Sequence, residues 1–191
     1  MEEIIKMMSL IQHLDNYILL CINNNMHGYV MDKIMVFVTY LGSGGFIWIT
    51  IAVLLIINKK YRNIGFMVLG ALLLNTILCE GILKHAVQRM RPSTYIPAAN
   101  LLIPKPLSYS FPSGHAASSF AAAGVLAKYF KRYAFVFFGL ASLIAFSRLY
   151  LYVHYPTDVL AGIILGLICS KITIYVFNRV NKHAAITMKK E

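Results

Sequence analysis

Residues 35–57 read MVFVTYLGSGGFIWITIAVLLII, 23 positions without a charged side chain. A helix that crosses the hydrocarbon core of a bilayer needs roughly 20 mostly apolar residues, so this stretch is long enough to span one. The small-residue run Gly42-Ser43-Gly44-Gly45 interrupts it and suits close packing or a break in the helix. No Gly-Lys-Ser or Gly-Lys-Thr follows the run, so a nucleotide-phosphate loop is not indicated. Further along the chain, four more apolar stretches cover about 64–83, 114–127, 133–146 and 158–177. The third and fourth spans so defined are short and are expected to extend into their flanks. The fold class that follows is all-α, a polytopic transmembrane bundle of five to six spans. The sixth is open: residues 4–22 are apolar but contain His13, Asp15 and Asn16, which fits a span and an interfacial helix alike.

Composition agrees. Of 191 residues, 59% are hydrophobic and only 13% charged, where a soluble domain carries about 25% charged residues. The formal net charge of +11 therefore points to an acidic membrane face or an anionic substrate, with no nucleic-acid partner expected. Cys21, Cys79 and Cys169 show no disulfide or metal spacing and are expected to be buried thiols. The opening MEEIIKMM lacks the basic region of a cleaved signal peptide, and none is expected.

Basic residues in short loops mark the cytoplasmic side of a membrane protein. Lys59, Lys60 and Arg62, then Lys128, Lys131 and Arg132, then Arg179, Lys182, Lys189 and Lys190 all fall on one side if five spans alternate. That side reads as cytoplasmic, in a multi-pass protein of the cell membrane. The opposite side nevertheless holds Lys84, Arg89, Arg91, Lys105 and Arg148, cations on the unfavoured face that need another reason to be there.

Three clusters occupy that opposite side. Lys84 and Arg91 are seven apart, about two helical turns, so both are expected to project from one helix face before Pro92 ends it. Taken alone, they also fit surface cations that snorkel. Ser113-Gly114-His115 opens the third span: a serine N-cap, a glycine that lets an anion approach backbone, and a histidine on the first turn. Taken alone, this is also a capped helix with an interfacial histidine. Arg148, His154 and Asp158 join the fourth and fifth spans. Arg148 offers a planar fork for two phosphate oxygens, and Asp158 can hold one imidazole N–H of His154 and leave the other nitrogen free. Asp158 also has the plainer explanation of a carboxylate at a helix N-terminus. Together the clusters supply the cations, N–H donors, nucleophile and acid that phosphoryl transfer needs.

Lys84-x6-Arg91-Pro92, Pro112-Ser113-Gly114-His115 and Ser147-Arg148-x5-His154-x3-Asp158 together resemble the three-part signature of the type 2 phosphatidic acid phosphatase superfamily. The resemblance spans about two-fifths of the chain. It implies one membrane-embedded phosphatase domain, 1–191, with 1–30 an N-terminal interfacial or spanning helix and 84–158 the catalytic core. It implies that His154 is a nucleophile that becomes phosphorylated, that Asp158 orients it, and that His115 is the general acid. Lys84, Arg91, Ser113, Gly114 and Arg148 would bind the phosphoryl group. No metal and no cofactor are expected, and Asp158 alone is too few carboxylates for a magnesium site. The expected substrate is a membrane lipid phosphate or diphosphate facing the extracytoplasmic side. Undecaprenyl diphosphate comes first, with phosphatidylglycerophosphate, phosphatidic acid or a lipid phosphotransferase reaction as alternatives. Oligomeric state is open.

The flanking residues have plainer readings. Glu80 is expected to pair with Lys84 at i,i+4. His85 and Arg89 flank the first cluster, where contact with the head group is one reading and interfacial solvation the plainer one. Tyr95, Tyr109, Phe111, Tyr150 and Tyr152 suit an aromatic belt, and residues 93–110, with three prolines, are expected to shape head-group choice.

Overall fold

The computed structural model describes residues 2–97 and 100–187. Its helices are α1 (Glu2–Met26), α2 (Tyr29–Gly42), α3 (Phe46–Ile57), α4 (Arg62–Thr76), α5 (Lys84–Val87), α6 (Gly114–Tyr129), α7 (Ala134–Tyr150) and α8 (Pro156–Thr187), with no strand among the described residues. Among the described residues, four stretches are long and apolar enough to cross a bilayer: Tyr29–Ile57, Arg62–Val87, Lys131–Tyr150 and Pro156–Lys182. The first is α2 and α3 joined through the glycine run. Gly44 and Gly45 take φ of +58° and +74°, a region costly for any residue with a Cβ, and this breaks the helix at mid-span.

The fourth expected span extends to Tyr150, but the third lengthens by only two residues, to Tyr129. α6 is 16 residues, about 24 Å at 1.5 Å per residue. Ser113 caps its start by accepting from the Ala116 N–H, and Phe130 leaves helical geometry at its end. It is nonetheless the central helix. Ala116, Ala117, Ala121, Ala122 and Ala123 are all fully buried, and these small side chains let α4, α7 and α8 close around it. Gly162 and Gly166 of α8 press on it directly. A Cβ at Gly162 would lie 2.6 Å from the Ser113 carbonyl, and one at Gly166 would overlap the Ala117 carbonyl. Trp48 of α3 donates its indole N–H to Ser119 across 3.0 Å inside the same core.

Residues 58–61 and 130–133 lie at one end of the bundle, with Lys59, Lys60, Lys131 and Arg132. The segment 88–113 and the turn 151–155 lie at the other. Lys189 and Lys190 fall outside the described residues. α1 belongs to the second end. Asp15 bonds Thr157 at the start of α8, and Met26 meets Tyr150 at the end of α7. Eleven residues of helix rise about 16 Å, so α1 lies across these helix ends and does not run alongside the spans.

Two smaller expectations fail. Cys21 is exposed, because α1 turns it outward; Cys79 and Cys169 are buried. Tyr150 is no belt residue: it is 1% exposed, and its hydroxyl lies 2.5 Å from Asp32 across the α1–α2 corner.

Candidate active site

At the end that carries α1, a cavity of about 600 Å³ opens among α2, α4, α6 and α7. Lys84, Arg91, Gly114, His115, Arg148 and His154 line its polar side; Ile49, Leu69, Leu72 and Leu73 line its apolar side. Six of the eight expected site residues therefore share one space. Ser113 and Asp158 stand behind it, both fully buried. The Ser113 side chain caps α6 from behind the cavity lining.

Lys84 and Arg91 converge by a route the spacing did not foresee. The helix stops at Val87, Gln88 is left-handed at φ +52°, and Arg91 is extended, so no helix face carries both. A loop serine joins them instead. Ser108 Oγ accepts from Lys84 Nζ at 3.1 Å and from Arg91 Nη2 at 3.0 Å. Arg91 also donates to the carbonyls of Ser108 and Val153. Burial lowers the Arg91 pKa to about 10, which leaves it charged at neutral pH. Arg148 donates to Thr39 Oγ1, while its buried Nε has no partner among the described residues.

Glu80 pairs with Lys84 at 2.8 Å, as its spacing suggested. It sits in a π-helical turn, Ile77–Leu83. A Cβ on Gly114 would lie 2.5 Å from Glu80 Oε1. The Glu80 carboxylate thus occupies the space that a side chain at 114 would take, against the start of α6.

His154 is 1% exposed. Its Nε2 lies 2.9 Å from Arg91 Nη1. A guanidinium only donates, so Nε2 carries a lone pair and the ring proton sits on Nδ1. Nδ1 faces Asp158 Oδ2 at 3.6 Å and Ser110 Oγ at 3.4 Å. Ser110 donates to Asp158 Oδ2 at 2.5 Å, and the Tyr155 N–H donates to the same oxygen at 2.9 Å. The carboxylate therefore steadies the ring partly through a serine. Burial lowers the His154 pKa to about 3; Arg91 and Arg148 push the same way, against Asp158. The imidazole is neutral throughout the physiological range. His115 approaches from the first turn of α6, its Nε2 3.4 Å from Ser43 Oγ in the glycine run.

Sequence reasoning missed Ser108, Ser110, Thr39 and Ser43, for which no spacing rule exists. It misread Arg89, whose side chain is only 20% exposed and bonds Asp158 at 2.7 Å; it is not surface solvation.

A family model, the PAP2 superfamily, matches residues 64–182. The chain belongs to the PAP2 superfamily. It is a hydrolase of the type 2 phosphatidic acid phosphatase kind, in a helical membrane fold. Relatives include an undecaprenyl-diphosphatase of Sulfolobus acidocaldarius, 34% identical over 71% of this chain and 66% of the relative. A phosphatidylglycerophosphatase B of Bacillus subtilis is 30% identical over 72% and 71%. The crystal structure of Aquifex aeolicus LpxE matches with a TM-score of 0.74 and 33% identity, over 85% of this chain and 95% of that one. In this PAP2 chain the matched region holds both histidines and all three cavity cations.

Proposed function

We propose that the chain removes the terminal phosphate of a lipid phosphate or diphosphate through a phosphohistidine on His154. The observation that carries this is the buried, neutral His154, whose Nε2 lone pair faces a cavity lined by Lys84, Arg91 and Arg148. A phosphate in the cavity takes the N–H groups of Arg91 away from Nε2. The three cations match the charge on its oxygens, with the N-terminus of α6 alongside. Nε2 attacks phosphorus in line, the bond from phosphorus to the leaving oxygen breaks, and His115, which takes up a proton once the bound anion offsets the cations around it, gives that oxygen the proton. Water then attacks the phosphohistidine, His115 accepts the water proton, and inorganic phosphate departs. Asp158 and Ser110 keep the His154 ring aimed.

The cavity faces the extracytoplasmic side in this reading, supported by Lys59, Lys60, Lys131 and Arg132 at the opposite end of the bundle. Undecaprenyl diphosphate is the first substrate: a slim prenyl tail suits the wall of Ile49, Leu69, Leu72 and Leu73, and a relative is named for that activity. Asn75 favours a second reading. The residue lines the cavity, its buried Oδ1 has no partner among the described residues, and a buried acceptor calls for a donor. The glycerol hydroxyl of phosphatidylglycerophosphate would supply one.

The test is phosphate release from both lipids in mixed micelles, with wild type and His154→Ala. The substitution should abolish release. Near-normal release by His154→Ala would end the proposal. A preference for the glycerolipid that disappears in Asn75→Leu would move the substrate to the second reading.

A further inference from the structure

Behind His154 and Asp158 lies a second pair of charged groups that no signature motif covers. Asp15, at the middle of α1, is 1% exposed. A carboxylate that deep is costly unless it is paired and hydrogen-bonded, and every bond it makes runs toward the active site. It accepts from Arg89 Nη2 at 2.7 Å, from the Thr157 N–H at 3.0 Å and from the Thr157 hydroxyl at 2.5 Å. Arg89 uses the other side of its fork on Asp158 Oδ1 and on Thr157 Oγ1, each at 2.7 Å. Gln12 takes another of its N–H groups at 2.7 Å, and the Tyr155 ring stacks under the guanidinium at 4.1 Å. Asp158 is thereby gripped on both oxygens, Oδ1 by Arg89 and Oδ2 by Ser110 and the Tyr155 N–H.

We infer that Asp15 is a positioning residue for phosphoryl transfer: through Arg89 it fixes Asp158, and so the ring of His154, which makes α1 a working part of the active centre. The inference rests on the reading of His154 as nucleophile. A helix needed only for docking would be served by the apolar contacts of Leu19 and Ile22, both buried. The chain of alternating charge, Asp15, Arg89, Asp158, does something those contacts do not: it sets how much negative charge reaches the imidazole. His154 faces Asp158 from α8, Arg91 from the segment after α5, Arg148 from α7 and His115 from α6. Arg89 and Asp15 act on it through Asp158. Removing Arg89 leaves Asp158 uncompensated and makes the ring easier to protonate. Removing the charge of Asp15 leaves Arg89 freer to neutralise Asp158 and does the reverse.

The experiment uses the full-length protein in micelles, scored per monodisperse folded molecule, with Asp15→Asn, Arg89→Gln, His154→Ala and the exposed α1 variant His13→Gln. Asp15→Asn should lower kcat about 10- to 100-fold, the size of effect that a small misplacement of a reacting group produces, with KM within about threefold, while His13→Gln matches wild type. The acid limb of kcat/KM should move to higher pH in Arg89→Gln and not in Asp15→Asn; a merely structural defect would move both alike or neither. Wild-type kcat in Asp15→Asn beside a dead His154→Ala overturns this inference and leaves the proposed function standing. An active His154→Ala removes both. If Asp15→Asn does not fold, Arg89→Gln decides, and an unmoved acid limb there overturns the inference.

Discussion

A histidine that is 1% exposed beside two guanidinium groups is a poor place for a proton, and this has a consequence outside catalysis. An unfolded histidine titrates near 6.5, whereas folded His154 has its pKa lowered to about 3 by burial first and by Arg91 and Arg148 next. Between those values the unfolded chain binds the extra proton, so stability falls as pH drops from roughly 6.5 toward 3. The unfolding temperature of wild type should therefore fall more between about pH 7 and about pH 4.5 than that of His154→Asn, which has nothing to titrate there. Equal falls would refute the assignment. The sequence showed most of the side chains that meet at the cavity, because their spacing repeats a signature. It did not show what holds them. Ser110 precedes His154 by 44 residues, and Asp15 precedes Asp158 by far more. Such contacts are set by tertiary packing, and no local pattern announces them. The expected shared helix face of Lys84 and Arg91 failed for a local reason: Gln88 turns left-handed and ends the helix before Arg91 is reached.

Among the elements, the α6–α8 contact carries the site, since Gly114 and His115 start one helix and Asp158 sits in the first turn of the other. The GxxxG pair of α8 was legible as a packing face, and it packs backbone against backbone. Gly166→Val should therefore destabilise the bundle by about 1–3 kcal/mol, the usual cost of overpacking, and reduce activity together with folded yield. The same substitution at Gly139, whose Cβ would meet nothing within 4 Å, should be tolerated. Comparison of unfolding temperatures in one detergent checks both. The glycine run read as close packing or a break proves to be both: Gly42 packs against Ile144 and His115, and Gly44 and Gly45 break the helix. Composition alone could not place α1, because its apolar residues suit a span and an interfacial helix alike; the bonds from Thr157 to Asp15 and from Tyr150 to the Met26 carbonyl lay it across the ends of α7 and α8.

For the whole molecule, orientation is the property most open to a direct test. In a Cys21→Ser background, Leu107→Cys, at a fully exposed position between the cavity-lining Pro106 and Ser108, should react with a membrane-impermeant maleimide added to intact cells. Lys131→Cys, at the other end, should react only after lysis. The opposite pattern would put the cavity in the cytoplasm. The flank of the cavity has its own consequence. Ile49 and Leu73 line the cavity yet are 41% and 63% exposed on the bundle surface; on the proposed function, this apolar side opens toward acyl chains. A head group can dock while its tail stays dissolved in the leaflet. Drawing ten methylenes into water would cost about 8 kcal/mol, at about 0.8 kcal/mol each, and this geometry omits that step. Turnover should then follow the mole fraction of substrate in the bilayer and be indifferent to how much water surrounds it.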